Sequence, residues 1–118
     1  MKVIIAGSRN ISVTTSEISQ YLGDVLSSVT EVVSGGATGI DTSGENFARE
    51  FKLPITRFLP DWDTHGRAAG PLRNKKMAQY GDVLLLIWDG SSKGSKSMKS
   101  EMKKLNKPIV EVIYGNSV

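Results

Sequence analysis

Short apolar runs alternate along this chain with segments in which apolar residues recur at every third or fourth position. The run KVIIAG, residues 2–7, predicts a buried strand. Thr14 and Glu17 then stand at the spacing of a capping box, which predicts the start of a helix. The apolar positions of this helix share one face: Ile18, Leu22, Val25 and Val29. The chain therefore begins as a strand followed by an amphipathic helix.

The alternation continues through the middle of the chain. EVVSG is the second predicted strand. A helix is predicted from about residue 38 to residue 52, with these apolar residues at helical spacing: Ile40, Phe47, Ala48 and Phe51. PITRFLP, bounded by prolines, predicts the third strand, and DWDTHGRAAG after it predicts a loop.

The last third of the chain repeats the pattern twice more. Pro71 suits the first turn of a helix that runs to about Tyr80. DVLLLIW is apolar on both faces, which is typical of a central parallel strand covered by helices on each side. A polar loop, DGSSKGS, precedes a helix whose predicted buried stripe is Met98, Met102 and Leu105, and PIVEVIYG predicts the last strand.

This order of elements predicts an α/β fold, a single Rossmann-like three-layer domain over residues 1–118. Right-handed crossovers would give a parallel five-stranded sheet, for which we predict the strand order 3-2-1-4-5. In such a sheet the order reverses between strands one and four, and ligands bind outside the carboxyl ends of the strands at that point.

Composition and charge narrow the classes of function. The chain has 118 residues, no cysteine, one histidine (His65) and no apolar run of transmembrane length, and it opens with a strand rather than a signal peptide. We therefore expect a cytoplasmic protein without membrane contact, disulfides or an N/S metal cluster, although a Mg²⁺ ion could arrive with a phosphate ligand.

The net charge of +3 is unevenly distributed. Through Asp63 the chain has five Lys and Arg against eight Asp and Glu, whereas from Thr64 onward it has ten against four. Anionic partners are therefore plausible for the second half, but the lysines between Lys93 and Lys107 could equally form a solvated helix face.

Three Gly/Ser-rich loops, GSRN, SGGATG and DGSSKGS, arrive at the predicted ligand edge of the sheet. Glycines there allow positive φ angles and close approach to backbone N–H groups, and helix N-termini favour anions, so the loops predict a phosphate site. The pattern is neither a Walker A loop nor GxGxxG. Because a phosphate alone gives weak binding, the ligand should also bury an aromatic part, with Trp62 and Trp88 as candidates for stacking a base.

Several of these residues have a purely structural alternative. Thr38 and Asp41 could cap a helix, Glu45 could pair with Arg49 one turn on, and Trp88 could belong to the core. Arg9, at the mouth of a central strand, favours a ligand role. Arg73 lies in a helical first turn and needs a negative partner, either the ligand or Asp61 or Asp63.

Taken together, IIAGSR, VVSGGATGIDTSGE, LPDW, AGPLRNKKM and DVLLLIWDG followed by KGS resemble the SLOG superfamily, the Rossmann-like group that joins DprA to the LOG phosphoribohydrolases. The resemblance is strongest to its small stand-alone YspA-like branch of bacteria and phages, and extends from Val3 to Val112. For a phage-encoded chain, the expected location is the host cytoplasm.

The resemblance implies four clusters of ligand-binding residues. Two follow the first strands: Gly7, Ser8 and Arg9, then Ser34, Gly35, Gly36, Thr38, Gly39, Asp41 and Glu45. The other two lie in the second half: Gly70, Pro71, Arg73 and Asn74, then Gly90, Ser92, Gly94 and Ser95, the last being the implied phosphate loop.

LOG enzymes cleave the N-glycosidic bond of nucleoside monophosphates, and the resemblance places their catalytic arginine at Arg73. The LOG glutamate is missing, because Lys96, Ser97 and Met98 stand at the matching positions. Cleavage would then have to recruit Asp41 or Glu45. Lys93 also stands where the branch commonly has arginine, which keeps the charge but loses the bidentate fork.

Three functions follow, in order of preference. The first is binding of a nucleotide or nucleotide-derived signal. The second is a LOG-like phosphoribohydrolase acting through Arg73 with Glu45 or Asp41. The third is DprA-like binding of single-stranded DNA, which the basic second half allows but the shortage of aromatic residues disfavours. Because LOG proteins pair through helices, the resemblance also implies a homodimer.

Overall fold

A computed structural model describes residues 1–114 as one layered α/β unit. Its strands are β1 (Lys2–Gly7), β2 (Glu31–Ser34), β3 (Ile55–Arg57), β4 (Val83–Trp88) and β5 (Ile109–Ile113). Its α-helices are α1 (Thr15–Leu22), α2 (Ile40–Glu50), α3 (Trp62–His65), α4 (Ala69–Tyr80) and α5 (Lys93–Lys104). The strands are all parallel in the order β3-β2-β1-β4-β5, so the predicted Rossmann-like order is confirmed. Residues 115–118, which complete the predicted domain and include the last residue of PIVEVIYG, lie outside the described range.

Each face of the sheet carries its own apolar core, because alternate residues of a strand point to opposite faces. Val3 and Ile5 of β1 pack in the cluster that contains residues of α1 and α2, while Ile4 and Ala6 pack in the cluster that contains residues of α4 and α5. All six residues of β4 are buried, as the continuous apolar run predicts. The two-sided core holds the carboxyl ends of β1, β2 and β4 in fixed positions beside each other.

The first helix is shorter than the apolar pattern predicts. Its start is confirmed, since Thr14 and Glu17 form both hydrogen bonds of a capping box. However, the α-helix ends at Leu22, because Gly23 takes a φ of +53° and donates its N–H to the carbonyl of Ser19. A 3₁₀ segment follows at Gly23–Ser28, so Val25 and Val29 lie beyond the α-helix.

Other boundaries also differ from the prediction. The segment predicted as a loop contains α3, which Asp61 caps by accepting a hydrogen bond from the backbone of Thr64, and a 3₁₀ turn at Gly66–Ala68. α4 then begins at Ala69, two residues before Pro71. The prediction that Leu105 belongs to the buried stripe is wrong: the residue is 43% exposed because α5 ends before it.

Within residues 1–114, no helix combines the length and apolar character needed to cross a bilayer.

Candidate functional site

A cleft of about 280 Å³ opens at the carboxyl ends of β1, β2 and β4, where the strand order reverses. All three Gly/Ser-rich loops reach it, as the topology predicts. The predicted ligand residues that line it are Gly7, Ser8, Arg9, Asp41, Arg73, Asn74, Ser92, Gly94 and Ser95. The fold therefore brings together residues from four separate parts of the chain.

Ser8 connects three walls of the cleft. Its N–H donates to the carbonyl of Ile87 (3.1 Å), and its own carbonyl accepts from the N–H of Ile40 (3.2 Å). Its hydroxyl accepts from the N–H of Asp89 (3.2 Å). Because Ser8 is only 2% exposed, these bonds are shielded from water and fix the ends of β1 and β4 and the start of α2 together.

Two of the glycines, Gly7 and Gly39, are needed for close packing between loops. A Cβ on Gly7 would lie 1.7 Å from the carbonyl oxygen of Ile87, and one on Gly39, which has a φ of +75°, would lie 2.4 Å from the carbonyl oxygen of Ser8. No side chain fits at either place. Backbone contact between neighbouring loops, rather than contact with a ligand, accounts for these two glycines.

Two amides of the second glycine loop are already engaged by side chains. The N–H of Gly36 donates to the hydroxyl of Ser34 (3.0 Å), and the N–H of Ala37 donates to Oδ2 of Asp41 (3.1 Å). These two N–H groups therefore have partners within the loop and the first turn of α2. Ser34 itself is fully buried.

Arg73 projects from α4 onto the glycine loop. Its Nη1 donates to the carbonyl of Gly35 (2.7 Å) and to that of Phe58 (3.3 Å), while Nε donates to Oδ1 of Asn74 (2.9 Å). A Cβ on Gly35 would lie 2.4 Å from Nη1, so the absence of a side chain there makes room for the guanidinium. Burial lowers the pKa of Arg73, and Asp41 opposes this effect. Within residues 1–114, Nη2 has no hydrogen-bond partner.

Asp41, rather than Asp61 or Asp63, is the carboxylate whose charge opposes the lowering of the Arg73 pKa, although the two side chains form no salt bridge within residues 1–114. Asp41 lines the cleft although it is only 6% exposed. Burial raises the pKa of its carboxyl group, against the opposing effects of the Ala37 N–H and the charges of Arg73 and Arg9. Thr38 does not cap α2, because Gly39 occupies the N-cap position and the hydroxyl of Thr38 donates to the carbonyl of Arg9 (3.4 Å).

Glu45 lies outside the cleft lining and is held by three side chains. It accepts from the Ser34 hydroxyl (2.8 Å) and from Nε and Nη2 of Arg57 (2.9 and 2.6 Å). Arg49, one turn along α2, lies 3.3 Å away, so the predicted pairing of Glu45 with Arg49 is confirmed, but the prediction of a surface carboxylate is wrong because Glu45 is buried. These bonds, chiefly those from Arg57, hold the pKa of Glu45 below its ordinary value. Glu45 is therefore badly placed to act on a ligand in the cleft.

The loop between β4 and α5 contains a carboxylate that the sequence motifs did not single out. Oδ1 of Asp89 accepts from the backbone N–H groups of Ser91 (2.8 Å) and Ser92 (3.0 Å), and the side chain lines the cleft. The Ser92 hydroxyl in turn caps α5 by accepting from the N–H of Ser95. The sequence signal that could have identified Asp89 as a candidate site residue is its position directly after a fully apolar strand.

Asn74 joins α4 to the first turns of α5. Its side-chain amide donates to the carbonyl of Gly94 (3.3 Å) and to the hydroxyl of Ser97 (3.2 Å), while its oxygen accepts from Arg73. The residue is 5% exposed. It thus fixes the first turn of α5 relative to Arg73.

A second cavity of about 450 Å³ adjoins the cleft and shares Arg9, Ala37 and Arg73 with it. Its lining includes two exposed apolar side chains, Leu59 (67%) and Trp62 (51%). Gly35, Gly36 and Thr38 complete the predicted residues found there. The structure thus provides two cavities side by side, and the second exposes an aromatic ring.

The remaining predicted ligand residues line neither cavity: Ser34, Gly39, Glu45, Gly70, Pro71, Trp88 and Gly90. Trp88 belongs to the core instead, since it is 5% exposed and its indole N–H donates to Glu111 (2.9 Å). Its ring cannot stack on a base in this position. Gly70 lies beside the Trp62 ring, because a Cβ added to this glycine would lie 3.6 Å from Cη2 of the tryptophan.

Within residues 1–114, no metal site is built from protein side chains alone. Asp41 and Asp89 are the carboxylates in the cleft lining. Across residues 1–114, no group of three or more His, Cys, Asp or Glu is placed to hold a metal ion. A Mg²⁺ ion carried by a phosphate ligand stays a prediction.

Comparison with known proteins gives two matches. The model of the family described as "YspA, cpYpsA-related SLOG family" matches residues 1–65, which include β1, β2 and the glycine loop. The Gene 61 protein of Mycobacterium phage D29 is 36% identical over 85 residues, which cover 67% of this chain and 68% of that protein. No solved structure matches at a significant level.

Proposed function

The chain belongs to the YspA, cpYpsA-related SLOG family, and from this premise we propose that it binds a nucleotide or a nucleotide-derived ligand in the cleft and the cavity beside it. Family membership supports a nucleotide-related role at a coarse level. The particular ligand and its placement are inferred from the geometry of the site.

The observation that carries the proposal is that two adjoining cavities share two arginines, while an exposed tryptophan lines one of them. Arg9 and Arg73 stand in the walls of the cleft, and the adjoining cavity also exposes Leu59 and Trp62. A nucleotide is likewise charged at one end and flat and weakly polar at the other. Because Arg9 and Arg73 line both cavities, they would lie next to the junction of base, sugar and phosphate.

The expected binding free energies favour a ligand that has both a charged group and a base. A charge-assisted hydrogen bond contributes roughly 1.5–3 kcal/mol, and micromolar affinity requires about 8 kcal/mol. Two arginines therefore do not suffice for an anion alone. Stacking of a base on an aromatic ring adds roughly 1–3 kcal/mol, which Trp62 could supply.

Incubation of the purified protein with nucleoside monophosphates, ADP-ribose and cyclic nucleotides tests the proposal. Mass spectrometry of the filtrate and of the denatured protein should find an intact nucleotide retained on the protein. Arg9→Ala should abolish retention, whereas Arg67→Ala, which removes the same charge from an exposed residue outside both cavities, should not. Equal retention by both variants, or none by the wild type, would refute the proposal.

A second candidate is hydrolysis of the N-glycosidic bond of a nucleoside monophosphate. It is favoured by one observation, the buried carboxyl of Asp41 in the cleft beside Arg73. Water would add to the anomeric carbon while the base leaves and takes up a proton, giving free base and ribose 5-phosphate. Developing positive charge on the sugar requires a nearby carboxylate, and a raised pKa suits a group that exchanges a proton.

The same filtrates distinguish turnover from binding. Free base and ribose 5-phosphate would support hydrolysis, and Asp41→Asn should then abolish their release. Glu45→Gln should leave turnover intact because Glu45 lies outside the cleft lining. Turnover that survives Asp41→Asn would overturn the assignment of the carboxylate.

A further inference from the structure

Asp89 places an anion at the loop where the sequence suggests a bound phosphate. Its Oδ1 is held by the N–H groups of Ser91 and Ser92, which keep the pKa of the carboxyl below its ordinary value. None of the salt bridges within residues 1–114 includes Asp89. The cleft lining therefore carries an ionised carboxylate without a paired cation.

This arrangement disfavours a phosphate at the β4–α5 loop. A phosphate there would meet the negative charge of Asp89 and would compete with it for two backbone donors. The cations that line the cleft, Arg9 and Arg73, belong to β1's loop and to α4 instead. The cleft is therefore polarised, with cations in one part of its lining and a carboxylate in another.

Groups that suit an ionised carboxylate are hydrogen-bond donors. Both backbone hydrogen bonds end on Oδ1, so the second oxygen, Oδ2, can accept from hydroxyl groups. In a nucleoside 5′-monophosphate, the neutral hydroxyl donors are those at C2′ and C3′ of the ribose, which joins the phosphate to the base.

We propose that Asp89 binds the ribose hydroxyls of the ligand while the phosphate lies against Arg9 and Arg73, so that the protein selects ribonucleotides over 2′-deoxyribonucleotides. This inference rests on the proposed nucleotide binding. Asp89 is then a specificity-determining residue, and the β4–α5 loop recognises the sugar rather than the phosphate. The competing role for Asp89 is to order this loop for a phosphate.

Asp89→Asn separates the two roles. Asparagine keeps a side-chain oxygen that can accept from Ser91 and Ser92, so the turn is retained while the charge is removed. Asp82→Asn is the matched control, because Asp82 immediately precedes β4 at the opposite end of the sheet, where it accepts from the N–H of Lys2 (2.7 Å).

Isothermal titration calorimetry would compare AMP, GMP, CMP and UMP with their 2′-deoxy counterparts, and inorganic phosphate by itself. The wild type should bind the preferred ribonucleotide at least about tenfold more tightly than its 2′-deoxy form, as expected for one charge-assisted hydrogen bond. Asp89→Asn should reduce this ratio to below about threefold and should bind inorganic phosphate as well as the wild type or better. Asp82→Asn should match the wild type.

Two results would overturn the inference. The first is equal affinity of the wild type for a ribonucleotide and its 2′-deoxy form, which leaves nucleotide binding itself intact. The second is weaker binding of inorganic phosphate by Asp89→Asn, which would assign the loop to phosphate. If the wild type binds none of the nucleotides, the proposed function fails and this inference fails with it.

Discussion

Replacing Glu45 with glutamine is expected to destabilise the fold without weakening ligand binding. The carboxylate is 9% exposed and accepts hydrogen bonds from Ser34 and from two nitrogens of Arg57. Glutamine keeps one acceptor oxygen but turns an NH₂ group toward an arginine, so that two donors face each other. The substitution therefore breaks at least one short bond in a partly buried cluster.

The size of the effect follows from the exposure of the partners. Breaking a fully buried ion pair costs about 3–5 kcal/mol. The side chains of Arg57 and Arg49 are 49% and 55% exposed, so water can replace part of the lost interaction. We expect Glu45→Gln to lose about 1–2 kcal/mol of unfolding free energy, which lowers Tm by about 3–10 °C in a domain of this size.

The effect should depend on pH with a definite sign. Because the folded-state pKa of Glu45 is depressed from 4.5, its contribution to stability is present above pH 4.5 and is lost as the pH falls through the folded-state value. The difference between wild type and variant should therefore shrink in acid. Urea unfolding followed by circular dichroism, at neutral pH and in steps below pH 4.5, measures this difference.

Glu50→Gln is the control, since it removes the same charge from an exposed position on the same helix. This control should unfold like the wild type. The reasoning is refuted if Glu45→Gln is as stable as the wild type at neutral pH, or if its deficit persists unchanged in acid. Loss of ligand binding by Glu45→Gln below its Tm would equally contradict the placement of Glu45 outside the cleft.

Three further predictions concern the cleft and its neighbours. Asp41→Asn should stabilise the protein at neutral pH but not below pH 3.8, because burial raises the pKa of Asp41 and its ionised form lowers the stability as the pH rises. Urea unfolding at both pH values measures this difference, and destabilisation at neutral pH would contradict the prediction. Ligand should change the fluorescence of Trp88→Phe, which retains Trp62, but not that of Trp62→Phe, and the reverse result would place the base elsewhere. Gly35→Ala should weaken ligand binding, measured by calorimetry, by about tenfold. The added methyl group would lie 2.4 Å from Nη1 of Arg73 and would displace the guanidinium, so unchanged affinity would show that this guanidinium is dispensable.

The fold and the position of the cleft follow from the sequence, because they depend on local periodicity. The all-apolar run of β4 identifies a central strand, and parallel strands joined by helices must bring their carboxyl ends to one edge. The same apolar run ends with Trp88. A residue inside a strand that is buried on both faces has no free ring face, so its burial was predictable from the pattern.

Partners that are distant in the chain were not predictable in the same way. Arg57 reaches Glu45 only because β3 pairs with β2 beside α2, and this contact decides that the carboxylate is structural. The boundaries of α1 and α4 depend on hydrogen bonds at individual residues, such as the one from Gly23, which apolar periodicity does not encode. The sequence shows that Asp89 is an acidic residue directly after a strand. Its hydrogen bonds from the N–H groups of Ser91 and Ser92, however, depend on the folded conformation of the loop.

The hydrogen bonds of Ser8 also bear on the kinetics of recognition. Since one buried residue fixes the ends of β1 and β4 and the start of α2, the walls of the cleft are ordered before any ligand arrives. Little conformational entropy is then lost on association, and the encounter requires no slow loop closure. Ligands that fit this rigid cleft should differ chiefly in how long they stay bound, and the amides of Ile40 and Asp89 should exchange slowly with solvent in the free protein.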